Sequence, residues 1–290
     1  MRKYVIIIIF FVGMFLTACQ QENTQETQNT NENDQQEQNE NTDQSNENEN
    51  SEQTSDESKN GKKDETNQNE DNNENDQTEE INKHIAKVEK NTGLHVVDNP
   101  ESIKVYVNKQ RKLPVGYTPP HLTVPDVPHY SAEGHPKRQL QKVAADALEK
   151  LFAEAKNQGI GLVAVSGYRS YERQEQIYQN NVATNGKEHA DKYSAKPGTS
   201  EHQTGLAMDV ASATETTATL LEQSFSRTDA GSWLAEHAHD FGFIIRYPEG
   251  KSNITGYNYE PWHVRYVGKD VAMTIYQKKI TLEEYFGYDY

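Results

Sequence analysis

Two short segments concentrate the side chains able to do chemistry. The first runs Ser200-Glu201-His202-Gln203-Thr204-Gly205-Leu206-Ala207-Met208-Asp209, and the second is Glu260-Pro261-Trp262-His263. Imidazole and carboxylate are good zinc ligands, and a catalytic zinc needs three protein ligands with a fourth position left for water. His202, Asp209 and His263 supply such a set. A carboxylate beside the attacking water can serve as base and then as acid toward the departing amine, and Glu260 is the candidate. Singly, each feature is weak: a lone His is more often a hydrogen-bonded structural residue, and an Asp at a strand end more often caps a turn. His237 and His239, two residues apart on an expected helix, cannot share a ligand position and read as surface or packing residues.

These residues must be carried by elements that aim them at one point. In a strand Leu206–Val210, Leu206, Met208 and Val210 would face the core while Ala207 and Asp209 face the other way. Gly205 lets the preceding loop turn sharply, which would bring His202 back over that open face. Glu260 and His263 would point to opposite faces of a regular strand, but Pro261 interrupts the ladder and makes a shared direction feasible.

Around them, Leu140, Val143, Ala144, Ala147, Leu148, Leu151, Phe152 and Ala155 recur at three- and four-residue spacing, which predicts an amphipathic helix over about Pro136–Asn157, stopped by Gly159. Ile81, Ile85 and Val88 share a helical face, so a short helix is expected to open the segment. Ser102–Val107 reads as a strand, Leu113–Val127 as Pro-rich and irregular, Leu162–Ser166 as a buried strand and Tyr171–Asn180 as a helix. Ser232–Phe241 reads as a helix, and Phe243–Arg246, Gly256–Tyr259 and His263–Tyr266 as strands of a meander. Helices and strands come in runs, which predicts an α+β single domain with an antiparallel sheet carrying the site.

Four ordered motifs carry a specific resemblance. They are Ser166-Gly167-Tyr168-Arg169-Ser170-Tyr171, the run Tyr193 to Gly205 (YSAKPGTSEHQTG), Phe241 to Pro248 (FGFIIRYP) and Gly256 to Gly268 (GYNYEPWHVRYVG). From about Ser102 to the C-terminus the chain resembles the VanY/LdcB-type zinc carboxypeptidases, peptidoglycan-trimming peptidases of family M15. The resemblance implies that His202, Asp209 and His263 hold Zn2+, that Glu260 is the catalytic carboxylate, and that the substrate is a cell-wall peptide stem trimmed at a terminal D-alanine. Arg169, directly after the strand Leu162–Ser166, is placed to meet an anion, either the substrate's terminal carboxylate or the oxyanion formed during attack. Gln174, one helical turn on, and Ser200 are further substrate-binding candidates, and Tyr247 could close the pocket. The expected activity is D-Ala-D-Ala carboxypeptidase; L,D-carboxypeptidase action on tetrapeptide stems, endopeptidase cleavage within the stem and a non-catalytic wall-binding module are the alternatives.

Composition divides the 290-residue chain. Gln20–Glu80 contain no Ala, Val, Ile, Leu, Met, Phe, Trp, Tyr or Cys and carry 20 acidic and 3 basic residues, so they account for the overall net charge of -16. Such a segment cannot contribute to a core and reads as a disordered tether, with an r.m.s. span of roughly 45 Å that charge repulsion lengthens. The remainder, residues 81–290, holds 25 acidic and 24 basic residues. A nucleic-acid partner is not expected of a body this close to neutral.

Ahead of the tether, Met1-Arg2-Lys3 precede an apolar run, Tyr4–Leu16, shorter than the roughly 20 residues of a membrane-spanning helix. The run ends in Leu16-Thr17-Ala18-Cys19, which resembles a bacterial lipobox with Cys19 as the lipidated residue. The expected organisation is a signal peptide over 1–18, a lipid-anchored linker over 19–80 and a catalytic domain over 81–290, held at the membrane on its extracytoplasmic side. Cys19 is the only cysteine, so no intrachain disulfide can form and the fold must rest on its core.

Overall fold

The computed structural model describes residues 85–287; the segments expected to be a signal peptide and a linker, with Cys19, lie outside them. The centre of the fold is a four-stranded antiparallel sheet of β6 (Leu162–Ser166), β7 (Ala207–Ser212), β8 (Phe243–Tyr247) and β9 (Glu260–Tyr266), in the order β6-β7-β9-β8. This is the α+β arrangement, with an antiparallel sheet at its centre.

Alternation decides the two faces. Leu162 and Ala164 of β6, Met208 and Val210 of β7, Phe243 of β8 and Val264 of β9 join the main core. There they meet Leu148, Leu151, Phe152 and Ala155 of helix α1 (Lys142–Asn157) and Leu234 of a later helix, Asp229–His237. Val163, Val165 and Ala211 form a smaller cluster with Leu221 on the opposite face. That second face also receives Asp209, His263, Arg246 and Arg265, four charged or ionisable residues inside otherwise apolar strands. Asp209 and His263 are direct cross-strand partners, so β7–β9 pairing alone brings two of the three candidate ligands together.

Four local expectations need correction. The described part of the segment read as an opening helix is a strand, β1 (Ile85–Val88), paired antiparallel with β2 (His95–Val97), and β2 in turn pairs parallel with β3 (Arg111–Lys112). Ser102–Val107 is a turn followed by irregular chain rather than a strand. Its carbonyls are satisfied by arginines instead of a ladder: Arg265 donates to the carbonyls of Ile103 and Val105, and Arg111 to that of Tyr106.

The helix expected from Pro136 begins only at Lys142. Pro136–Arg138 is a 3-10 turn, and Leu140–Gln141 (β5) pairs with Leu122–Thr123 (β4). Gly256–Tyr259 is not a strand either. Ser252–Thr255 forms one helical turn, and the Thr255 hydroxyl bonds the backbone of Tyr257, which holds the chain in a bend up to Glu260. The meander is therefore a β8–β9 pair with β9 inserted against β7. The remaining elements follow the reading with shifted ends: Tyr171–Asn185 (α2) runs longer, and the helix before Gly242 finishes as a 3-10 turn over Ala238–Phe241.

Candidate active site

His202 sits on a 3-10 turn, Glu201–Thr204, that ends at Gly205 in the left-handed region at φ 67°. A side chain there would be strained and would also press on Leu122, Gln141 and Pro119 at 3.0–3.2 Å. The turn folds His202 back onto the end of β6. There its Nδ1 lies 2.8 Å from the Gly167 carbonyl, and the Arg169 amide donates to the His202 carbonyl at 3.2 Å. Gly167 has no room for a side chain: a Cβ would lie 2.4 Å from the Gln139 carbonyl oxygen and 2.9 Å from that of Lys137. The backbone acceptor makes His202 Nδ1 the protonated nitrogen, leaving the Nε2 lone pair 3.3 Å from Asp209 Oδ2.

His263 is fixed in the opposite sense. Its Nε2 lies 3.3 Å from Glu201 Oε2, while its Nδ1 faces Asp209 Oδ1 at 3.1 Å. Glu201 is completely buried between two arginines. Its Oε1 accepts from Arg246 Nε at 2.7 Å and Arg265 Nη1 at 2.8 Å, which turns Oε2 toward His263. Arg246 is in turn held by Glu283 through two bonds of 2.7 and 2.9 Å. Two buried carboxylates thus balance two buried guanidiniums, and the set acts as a clamp behind the histidine.

Both imidazoles thus turn their other nitrogen toward one carboxylate, and in the metal-free protein the proton that His263 retains lies between its Nδ1 and Asp209 Oδ1. Asp209 Oδ1 is completely buried, and beyond His263 Nδ1 at 3.1 Å it has no hydrogen-bond partner. A cation resolves this arrangement. One ligand atom from each of His202, Asp209 and His263 falls within 4.8 Å of the others, the one such group among the described residues. His202 Nε2 and His263 Nδ1 each face an Asp209 oxygen, Oδ2 at 3.3 Å and Oδ1 at 3.1 Å, within reach of one shared cation. The donor set therefore fits zinc, with an outer hydrogen bond on each histidine as metal-binding imidazoles require.

The electrostatics agree. Burial lowers the His202 pKa against the pull of Asp209. Burial would also lower that of His263, but hydrogen bonds to Asp209 and Glu201 outweigh it and push the metal-free group up to about 9. Asp209 and Glu201 both stay well below the usual carboxylate range: burial opposes ionisation, and the facing histidines in one case and arginines in the other overcome it. Glu260 behaves differently, pushed up to about 7 chiefly by burial, against the attraction of His263.

Glu260 reaches the site through an irregularity in β9. Ile245 pairs with Val264 and Tyr247 with Glu260, so one residue of β8 faces three of β9, including Pro261. The bulge lets Glu260 share the side of His263, with Oε2 3.8 Å from His263 Nδ1 and the side chain 18% exposed.

A cavity of about 130 Å3 opens over these groups. Arg169, Gln174, Ser200 and Tyr247, the four substrate-binding candidates, all line it together with the ligands and Glu260. Gln174 is engaged at both ends of its amide: Oε1 accepts from Arg169 Nη1 at 3.0 Å, and Nε2 donates to the Ala195 carbonyl at 2.7 Å. Its evident effect is to brace Arg169. Helix α2 supplies the brace, because Ser170 caps its first turn by accepting from the Arg173 amide at 3.2 Å. Tyr247 packs its ring 5.0 Å from His263 and 4.5 Å from Tyr257.

His237 and His239 stand apart from the site, packed against Trp233 and Tyr276 respectively. Sequence reasoning missed Glu201, Arg246 and Arg265 as a unit. The available signal was an arginine inside each of the apolar strands Phe243–Tyr247 and Glu260–Tyr266, which demands a buried acid. Tyr257 and Trp262, also on the cavity wall, gave no signal beyond lying within a quoted motif.

Comparison with known proteins follows the same lines. A family model described as VanY, D-alanyl-D-alanine carboxypeptidase, matches residues 137–269. The chain is 47% identical over 205 residues to YodJ of Bacillus subtilis (strain 168), covering 71% of this chain and 74% of that protein. It is 35% identical over 185 residues to VanXYC of Enterococcus gallinarum, a bifunctional D-Ala-D-Ala dipeptidase and carboxypeptidase, covering 63% and 92%. Among solved structures, the LdcB LD-carboxypeptidase is similar at 49% identity and TM-score 0.66, with 70% of this chain and 92% of that one covered. VanY from a VanB-type resistance cassette, in complex with Zn(II), is similar at 32% identity and TM-score 0.51, with 63% and 98% covered.

Proposed function

Because the chain belongs to the VanY-type zinc carboxypeptidases, we propose that this peptidoglycan carboxypeptidase removes the terminal D-alanine of D-Ala-D-Ala pentapeptide stems. The observation that carries this reading is the convergence of Glu260, Arg169 and the three-ligand cluster on one cavity.

His202, Asp209 and His263 are proposed to hold the zinc. When bound, zinc supplies Lewis acidity that makes water a competent nucleophile near neutral pH and polarises the scissile carbonyl. Glu260, whose carboxyl is held above the usual range by burial in the metal-free site, takes a proton from the attacking water and delivers it to the departing amine of D-alanine. Arg169, held by Gln174, binds the free terminal carboxylate with its planar fork and so sets the register of cleavage. Tyr247 and Ser200 narrow the cavity around the terminal residue.

A second reading, L,D-carboxypeptidase action on tetrapeptide stems, is supported by the 49% identity to an LD-carboxypeptidase. Incubation of the zinc-loaded enzyme with defined pentapeptide and tetrapeptide stems, followed by mass spectrometry, separates the two. Loss of one D-alanine from the pentapeptide supports the first reading and loss from the tetrapeptide the second. Release of larger fragments would replace both with endopeptidase action.

Cys19 is proposed as a lipid anchor and the following linker as a tether holding the domain on the extracytoplasmic side of the membrane, on the support of the lipobox-like motif and the apolar-free composition. Metabolic labelling with a fatty-acid probe, lost in Cys19→Ser, tests it.

A further inference from the structure

With the terminal D-alanine at Arg169, the rest of a stem peptide must leave the catalytic cavity on another side. A second cavity of about 290 Å3 adjoins it and shares three walls with it, Tyr193, Tyr257 and Glu260. Arg169 and Gln174 line only the first cavity. A substrate laid from Arg169 across Glu260 would pass Tyr257 into the second, with its upstream residues lying there.

The second cavity has a distinct chemistry. It is walled by Lys109 and Lys192, with Ser252, Asn253 and Asn258 as neutral polar neighbours, and its one acidic lining residue is Glu260, on the shared boundary. Lys109 is held in place: its ammonium donates to the Lys192 carbonyl and lies 4.8 Å from the centre of the Tyr257 ring. These two contacts are neutral, the carboxylates of Glu260 and Asp191 act on the ammonium without bonding it, and an ammonium has three protons to donate. A partly buried cation held by a carbonyl and a ring face, with no carboxylate bonded to it, is placed to receive an anion at little ordering cost.

We propose that this second cavity is a subsite for a free carboxylate on the upstream part of the stem peptide, bound by Lys109 and Lys192. The proposal rests on the stem-trimming reading above and deepens it. Two groups of a stem have this chemistry: the α-carboxylate of a γ-linked D-glutamate and the side-chain carboxylate of a diaminopimelate residue. Either is neutralised when the wall carries it as an amide.

The test uses the zinc-loaded full chain and four soluble stems: glutamate or isoglutamine with lysine as third residue, and isoglutamine with diaminopimelate or its side-chain amide. D-alanine release gives kcat and KM, and calorimetry of the same stems with Glu260→Gln protein gives binding without turnover. A stem carrying the recognised carboxylate should bind about tenfold more tightly than its amide partner. The pair showing the difference identifies the source. Lys109→Gln and, separately, the exposed Lys192→Gln should shrink that ratio toward one. Equal affinity for acid and amide in both pairs, or a ratio that survives both substitutions, overturns the subsite. Absence of D-alanine release from every stem would instead count against the stem-trimming reading, while calorimetry still decides the subsite.

Discussion

Glu201 Oε2 and His263 Nε2 lie 3.3 Å apart, on the side of the imidazole away from Asp209. Two buried arginines occupy the other Glu201 oxygen, so the carboxylate cannot turn away. In the proposed site this relationship leaves Nδ1 as the His263 atom that would meet the metal. Glu201→Gln should keep the shape but weaken the acceptor and upset the charge balance, lowering zinc affinity by about 10–100-fold. Chelator competition measures it, and the ring-nitrogen NMR shifts of His263 should show a mixed tautomer. Unchanged affinity with an unchanged tautomer would remove Glu201 from the metal site.

Glu201→Ala is a harsher change. It leaves Arg246 and Arg265 buried with Glu283 as their remaining acid, and stability should fall by about 3–5 kcal/mol. Denaturant unfolding of the metal-free protein reads this directly, and a loss below about 1 kcal/mol would mean the clamp is not structural.

Zinc and protons should compete at His263. Its metal-free pKa is raised from the usual 6.5 to about 9, so the group's contribution to metal-free stability is complete below about pH 6.5 and lost as pH rises through 9. Glu260, raised to about 7 from the usual 4.5, adds a loss of the same sign as pH rises through 7. Zinc needs the deprotonated imidazole, so apparent zinc affinity should climb across pH 6.5 to 9 while metal-free stability declines. Calorimetry in buffers of different ionisation enthalpy at pH 7.5 should detect about one proton released per zinc, and zero release would contradict the assigned state of His263.

Arg169→Ala should reduce kcat/KM on free-acid stems by about one to three orders of magnitude and erase the preference over C-terminally amidated stems. Gln174→Ala should shift the same preference less, because it acts through the Arg169 guanidinium. The double variant should be no worse than Arg169→Ala alone. A preference that survives loss of Arg169 would assign the carboxylate to another group.

Gly167→Ala should cost about 1–3 kcal/mol, because its Cβ meets backbone carbonyls of Lys137 and Gln139 that cannot move aside as a side-chain tip would. The same displacement disturbs the carbonyl that fixes His202, so zinc affinity should fall with thermal stability. A variant of unchanged melting temperature and zinc content would contradict the close packing.

The convergence of His202, Asp209, Glu260 and His263 was legible because its causes are local in sequence: Gly205 reversing the chain behind His202, alternation in Ala207–Ser212 and Pro261 beside Glu260 are short-range rules. The sheet's antiparallel character followed from the same patterns. The clamp was not legible, because Glu201, Arg246, Arg265 and Glu283 come from four separate segments and only tertiary packing joins them. The same cause misled the reading of Ser102–Val107, whose apolar alternation suits a strand but whose carbonyls are taken by Arg265 and Arg111. Periodicity also overran the start of α1, since Leu140 keeps the helical spacing while its backbone pairs with Thr123.

The division of labour between Glu260 and the metal ligands is the centre of the account. Zinc content and D-alanine release, measured together on the unsubstituted chain, Glu260→Gln and His202→Ala, test it most directly. One zinc per chain is expected in the first two, with release from stem peptides abolished in Glu260→Gln, and His202→Ala should lose both metal and turnover. Glu260→Gln protein that folds without zinc, or that releases D-alanine at the unsubstituted rate, would contradict it.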